Sequence, residues 1–258
     1  MDNYISEILI KLQEPIQFEK NIAYTEKCRV LASKDRKLQI YYKDKPLFNM
    51  VAFKNIHNSL SGPVAAKLVE LIINNTIIVK NKEVIDLGCG SGTIGLTAIH
   101  EGAKKVIFTD INKNAKRVKE HNMLRVQDEV IIQDLLSNQP NDSSDIIIAL
   151  LPTDIVQKNV EIDYDNYNCG IICEPDLLFR TIKQASRVLR KGGELIIWFK
   201  VSHLGIIPYH NVMMKINEVF DISTINILVH DLEENLSNIY NNLNHKLTSS
   251  CVMLSVKK

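Results

Sequence analysis

From Glu83 onward, short apolar runs alternate with segments of helical periodicity. Val84-Ile85-Asp86-Leu87 reads as a strand closed by glycine, residues 93–101 as a helix, and Val106-Ile107-Phe108-Thr109 as a second strand. Residues 112–124 read as helix, Val130-Ile131-Ile132 as a third strand, and Ile146-Ile147-Ile148-Ala149-Leu150 as a fourth. Near-continuous Ile/Val runs suit strands buried on both faces of a parallel sheet. Pro175 and then Leu178, Ile182, Ala185 and Leu189, at steps of three and four, predict a helix. Arg190 and Lys191 complement its dipole, and Gly192-Gly193 stop it. Leu195-Ile196-Ile197-Trp198-Phe199 is a fifth strand. This rhythm predicts a doubly wound, Rossmann-like α/β sheet.

The two ends of the chain read differently. Residues 222–229 and 249–256 are strand-like and suit an antiparallel pair at one sheet edge, with the Asn-rich stretch 231–245 between them. Residues 1–60 form a lead-in with one amphipathic segment (Ile5, Ile8, Leu9, Leu12) and one strand candidate, Leu38–Tyr42. Ser61 and Pro63 open a helix running to about Asn74. The expected division is an N-terminal accessory or lid segment, 1–60, and a main domain, 61–258.

Composition narrows the class. The 258 residues carry 31 Lys and Arg against 30 Asp and Glu, so no global basic field is available for nucleic acid. No apolar run approaches a membrane span, and the acidic N-terminus lacks signal-peptide order. Five scattered cysteines argue against a disulfide framework and for the reducing cytoplasm. No zinc spacing is present, so no metal is expected.

The sharpest motif is Asp86-Leu87-Gly88-Cys89-Gly90-Ser91-Gly92, between a strand and a helix. Two cofactor classes compete for it. Gly90-Ser91-Gly92-Thr93-Ile94-Gly95, with Asp110 twenty residues after Gly90, satisfies the dinucleotide fingerprint of an NAD-dependent oxidoreductase. A pyrophosphate there would face the Asp86 carboxylate, and two like charges ~5 Å apart at a dielectric of ~20 repel by roughly 3 kcal/mol. S-adenosylmethionine carries a sulfonium and an ammonium instead, and Gly88 directly after the strand gives the order acid-x-G-x-G-x-G. Asp86 therefore favours the sulfonium cofactor. Asp110 and Ile111 end the second strand, where a carboxylate can accept both ribose hydroxyls. Asp134 and Leu135 follow the third strand, toward the adenine, and Leu150 to Pro152 follow the fourth, where the methyl would point. All lie at carboxyl ends of strands, where open α/β sheets bind ligands.

These residues resemble the class I S-adenosylmethionine-dependent methyltransferases, and the stretch from Glu83 to Phe199 is most similar to the branch of ribosomal-protein and release-factor (small-domain) methyltransferases. The resemblance implies a seven-stranded sheet with the last strand antiparallel, and a cofactor site of Asp86, Gly88, Cys89, Gly90, Gly92, Asp110, Ile111, Asp134, Leu135 and Leu150. One departure stands out: the glutamine- and adenine-modifying branch has Asn-Pro-Pro-Tyr after the fourth strand, and this chain has Ala149-Leu150-Leu151-Pro152.

The acceptor side is acidic, with eight acids and one base from Asp142 to Asp176. Read as a rim of the pocket, it predicts a small-molecule or peptide acceptor presenting an amine or hydroxyl, with nucleic acid disfavoured; the plain alternative is a solvated loop. Residues 27–54 are opposite in sign, with eight bases and two acids and with Tyr41, Tyr42, Phe48 and Phe53 interleaved. They read as a basic surface hairpin or, alternatively, as an RNA contact. No catalytic residue is identified; His57, with a near-neutral pKa, and Asp154 are the candidates for a base. A protein, ribosome or RNA methyltransferase is the alternative function, and a non-catalytic cofactor-binding subunit a more remote one.

Overall fold

The computed structural model describes residues 8–13, 32–56, 63–122, 124–152, 154–155, 172–173, 176–202, 209–230 and 249–258. A three-stranded antiparallel sheet comes first: β1 (Ile8–Leu12), β2 (Arg36–Tyr42) and β3 (Lys45–Ala52). Helix α1 (Pro63–Ile73) leads into the large sheet. That sheet comprises β4 (Glu83–Leu87), β5 (Lys105–Asp110), β6 (Glu129–Ile132), β7 (Ser144–Ala149), β10 (Leu189–Ser202), β11 (Asn226–His230) and β12 (Ser249–Lys257). Its order is β11-β12-β10-β7-β4-β5-β6, and β12 runs antiparallel to both neighbours. Helices α2 (Thr93–His100), α3 (Arg117–His121), α4 (Leu177–Val188) and α5 (Tyr209–Asn217) connect the strands. A two-residue parallel pair, β8 (Asp154–Ile155) with β9 (Ile172–Cys173), lies outside the large sheet.

The alternation of side chains along each strand builds two cores, because successive residues face opposite ways. Val84, Val106, Phe108, Ile146 and Ile148 pack with α1, α2 and the β2–β3 hairpin. Ile85, Leu87, Ile147, Ala149, Leu195 and Ile197 pack with α4 and α5 on the other side. Leu38, Ile40, Met50 and Phe53 of the lead-in belong to the first core. Asp86 sits two residues after Val84, so its carboxylate points into the α2 side, and Asp110, two after Phe108, does the same. The sheet with antiparallel β12 matches the expected architecture.

Four sequence expectations are corrected. The strand expected over 222–229 begins at Asn226, after a 3-10 turn at Ile222–Thr224, while the amphipathic segment holds β1, paired with β2. The helix expected over 112–124 is a 3-10 turn, Lys113–Lys116, followed by the short α3, since Asn112 caps the turn by accepting from the Asn114 N–H. Helix α4 ends at Val188, and Arg190 to Gly193 lie in β10 at a register shift between Leu189 and Glu194. Arg190 serves β4 and β7 rather than the helix end, bonding Glu83 at 2.8 Å and Asp145 at 3.0 Å. Gly192, at φ +78°, places its N–H on the Lys258 carbonyl. Finally, Asp142 and Asp145 stand at the amino end of β7, paired with Lys258 and Arg190, so they border no pocket at its carboxyl end.

Candidate functional site

The loop after β4 is anchored by backbone. The N–H groups of Gly88 and Cys89 both donate to the Thr109 carbonyl of β5, at 2.9 and 3.0 Å, and Gly92 closes a tight turn by donating to the Cys89 carbonyl. Gly88, Gly90 and Gly92 all take positive φ (+74°, +53°, +86°), a region open to glycine at little cost. Space demands glycine as well. A Cβ on Gly88 would lie 2.8 Å from a Leu151 methyl and 3.2 Å from the Leu150 carbonyl, where β7 ends. The carboxyl ends of β4, β5 and β7 thus meet around this loop, a cradle closed tightly enough at Gly88 to leave no room for a side chain.

Two carboxylates lie under and beside it. Asp86 is 1% exposed and its Oδ2 accepts from the Gly95 N–H at 2.8 Å, in the first turn of α2. Burial raises its pKa to about 7, with the negative charge of Asp110 adding to the rise and the Gly95 N–H opposing it. Asp110 accepts from Gly90 N–H on Oδ2 and from Asn112 N–H on Oδ1, each at 2.8 Å. Burial raises its pKa too, against those amides. Each carboxylate oxygen has two lone pairs, so both oxygens of Asp110 keep acceptor capacity for a vicinal diol. Cys89 is buried and its thiol is pushed well above its ordinary pKa, which makes it inert as a nucleophile.

The remaining predicted residues fall around this centre. Ile111 is half-buried after Asp110, and Leu150 is half-buried, its N–H on the Leu87 carbonyl at 3.3 Å. Asp134 is exposed at the end of β6 and its Oδ2 is held by Arg180 of α4 at 2.7 Å. Leu135 beside it is buried with φ +49°, a costly conformation for leucine that recurs at ligand-binding edges. His57 lies outside the described residues, and Asp154 is described only as backbone of β8.

Several site residues had no sequence signal. Ser91 is buried, and its Oγ accepts from the Phe53 N–H at 3.2 Å, tying the lead-in to the glycine loop. Asn112, fully buried, donates from Nδ2 to the Asn55 carbonyl at 2.9 Å. Asp35 pairs with Arg117 through both guanidinium arms, and that guanidinium holds its pKa down to about 2. These partners are far apart in sequence, and only the packed hairpin brings them together. Gly95, the third glycine of the dinucleotide register, has a structural reason: its Cβ would fall 2.2 Å from the Phe108 ring. It serves helix-to-strand packing.

Comparison with known proteins agrees with this geometry. Residues 64–161 match the family model Methyltransferase small domain. A relative from Methanocaldococcus jannaschii, named "Putative protein N5-glutamine methyltransferase", is 28% identical over 130 residues, 48% of this chain and 64% of that one. The ribosomal protein L11 methyltransferase of Listeria welshimeri is 34% identical over 116 residues, 45% of this chain and 31% of its own length. The chain therefore spans less than two thirds of either relative. Among solved structures, the T. thermophilus 16S rRNA N2 G1207 methyltransferase in complex with AdoMet and guanosine superposes with a TM-score of 0.56 at 16% identity, covering 88% of this chain and 51% of that one. The M. jannaschii tRNA m1G37 methyltransferase gives 0.52 at 13% identity, covering 81% and 51%. These names overturn the expectation of a small-molecule or peptide acceptor with nucleic acid disfavoured: the acceptors they carry are a ribosomal protein, protein glutamine and RNA.

Proposed function

We propose that this chain, which carries a class I methyltransferase small domain over residues 64–161, transfers the methyl of S-adenosylmethionine to a macromolecule, a protein or an RNA. The observation that carries the reading is the backbone cradle of Gly88 to Gly92 fastened to the end of β5, with Asp110 beside it and the Asp86 carboxyl beneath.

The cradle fits that cofactor. Glycines at positive φ let backbone line the loop, and the two nearby titratable side chains are acids, Asp110 beside it and Asp86, half ionised near pH 7, beneath it; both suit a cationic nucleoside better than a diphosphate. Bound there, S-adenosylmethionine supplies a methyl group activated by its sulfonium. Asp110 accepts the ribose hydroxyls on the lone pairs its two amide donors leave. Asp134, fixed by Arg180, and Leu135 edge the adenine. Asp86 holds the first turn of α2 and contributes negative potential under the loop. Leu150 to Pro152 border the methyl from the end of β7. Orientation of this kind supplies ~7–11 kcal/mol to a displacement at carbon. In this reading residues 1–60 are an accessory segment over the main domain, and His57 and Asp154 are the groups to examine as bases. No helix among the described residues is long and apolar enough to cross a membrane; the five scattered cysteines are what support a place in the reducing cytoplasm.

The test is calorimetric titration of the full chain with S-adenosylhomocysteine and with NAD, followed by radiolabelled methyl transfer to ribosomes, to their separated proteins and to their RNA. Binding of S-adenosylhomocysteine, its loss in Asp110→Ala, and label in one macromolecular fraction are expected. Binding of NAD with no response to S-adenosylhomocysteine would overturn the reading.

A further inference from the structure

Two groups of exposed lysines, far apart in sequence, lie on elements that are fastened together beside the site. Lys34, Lys37 and Lys54 are exposed at the Arg36–Ala52 end of the β2–β3 hairpin, and Lys113, Lys116 and Lys119 are exposed on the turn and helix that follow β5. The hairpin is bolted to that turn and helix at several points. Asp35 pairs with Arg117, the Asn55 carbonyl accepts from Asn112, the Val51 N–H donates to Asn122, and Arg117 stacks over the Phe53 ring at 5.0 Å. Asn55 adjoins Lys54, and Asn112 follows Asp110 by two residues, so the lysine surface reaches the edge of the candidate cofactor site. Two acids stand among these lysines: Asp35 is matched by Arg117, and Glu120, beside Lys119, lies 3.8 Å from His121.

The character of this surface selects its partner. The large hydrophobic residues exposed among the described residues are Ile78, Val126, Met214, Ile222 and Ile227, and none lies on the hairpin or on residues 110–122. A protein interface needs an apolar centre, whereas phosphates need only positive charge. Base stacking is not what the surface offers. Phe53 is fully buried, Phe48 is half-buried with its ring 5.6 Å from that of His100, and the half-buried Tyr41 and Tyr42 stand toward the hairpin tip, Tyr41 bonded to Gln39 and Tyr42 under Lys43. Contacts of this kind position a nucleic acid without reading its sequence.

We propose that the surface formed by Lys34, Lys37, Lys54, Lys113, Lys116 and Lys119 grips the phosphate backbone of RNA and so presents the acceptor to the site. This rests on the methyltransferase reading for its purpose, not for the binding itself. The far end of the hairpin supplies an internal control. Lys43 and Lys45 sit at its tip, six residues from the Arg36 end, or ~20 Å at ~3.3 Å per residue.

The experiment uses the full chain and a labelled 20-nucleotide RNA, titrated by fluorescence anisotropy between about 50 and 200 mM KCl. Lys54→Glu/Lys116→Glu and Lys43→Glu/Lys45→Glu change the net charge equally. The first pair is expected to weaken binding more than tenfold and to lower the salt slope by about 1.4, since single strands contribute ~0.7 per phosphate contact. The tip pair is expected to change affinity less than threefold. The surface is not an RNA site if both pairs weaken binding alike or if wild type fails to bind. S-adenosylhomocysteine affinity, measured on every variant, separates the two proposals. Intact cofactor binding with lost RNA binding in Lys54→Glu/Lys116→Glu supports the surface. RNA binding that persists when cofactor binding is absent in wild type sinks the methyltransferase reading alone.

Discussion

Asp86→Asn tests the electrostatics of the loop. Burial lifts this carboxyl from 3.8 to about 7, so the folded protein holds a proton that the unfolded chain has released. An acid whose folded pKa is raised contributes stability that is complete below pH 3.8 and is lost as pH rises through 7. At 1.36 kcal/mol per pH unit the full span is about 4 kcal/mol, and about 2–3 kcal/mol of it falls between pH 5 and 8. Asp35 and Glu83, both held near 2, are ionised throughout that window and contribute no slope. Asparagine keeps an oxygen for the Gly95 N–H and removes the titration. Urea unfolding can be followed by Trp198, the single tryptophan, buried in β10. Wild type is expected to lose stability from pH 5 to 8, and Asp86→Asn to lose about 2 kcal/mol less over the same range. S-adenosylhomocysteine, which keeps the ammonium, is expected to bind wild type more tightly at pH 8 than at 6, and the variant with a smaller gain, the part left to Asp110, whose pKa burial also raises. Parallel pH profiles for the two proteins would refute the reasoning.

Other substitutions probe separate parts. Gly95→Ala drives a methyl against the immobile Phe108 ring and is expected to cost roughly 2–3 kcal/mol in urea melts, whereas Gly192→Ala, with nothing within 4 Å but φ +78°, is expected to cost roughly 1 kcal/mol. Asn112→Ala removes the cap on the 3-10 turn and the bond to the Asn55 carbonyl; a loss of about 1–2 kcal/mol and weaker S-adenosylhomocysteine binding by calorimetry are expected. Glu83 is held at about 2 by Lys104 and Arg190, so its contribution is present above pH 4.5 and is lost as pH falls toward 2. Acid titration of Glu83→Gln by circular dichroism is expected to show a shallower loss of stability below pH 4.5 than wild type.

The sheet was legible because Ile/Val runs and glycine punctuation are local signals. The glycine loop was legible because close backbone approach excludes other residues. The inward direction of Asp86 follows from strand alternation with Val84 and places it under the loop instead of in the cleft. What stayed hidden depends on distant partners. The Arg-Lys-Gly-Gly run reads as a helix stop, yet Arg190 is drawn to Glu83 and Asp145, and Gly192 to Lys258, so β10 absorbs all four residues. The attachment of the lead-in through Ser91–Phe53 and Asp35–Arg117 joins residues 38 and 82 positions apart, beyond the reach of any local pattern.

The place of β12 has a consequence for how the chain is made. It inserts between β10 and β11, pairing Glu194 with Lys257. Both flanking strands therefore leave the ribosome first and must wait with a slot open between them. The half that holds the glycine loop needs only β4 to β7 and has no such dependence. During vectorial synthesis a nascent chain can thus acquire its ligand cradle while the opposite flank is still an unzipped edge. That edge of β10, rich in Ile, Trp and Phe, is where a stalled or truncated product would stick to its neighbours.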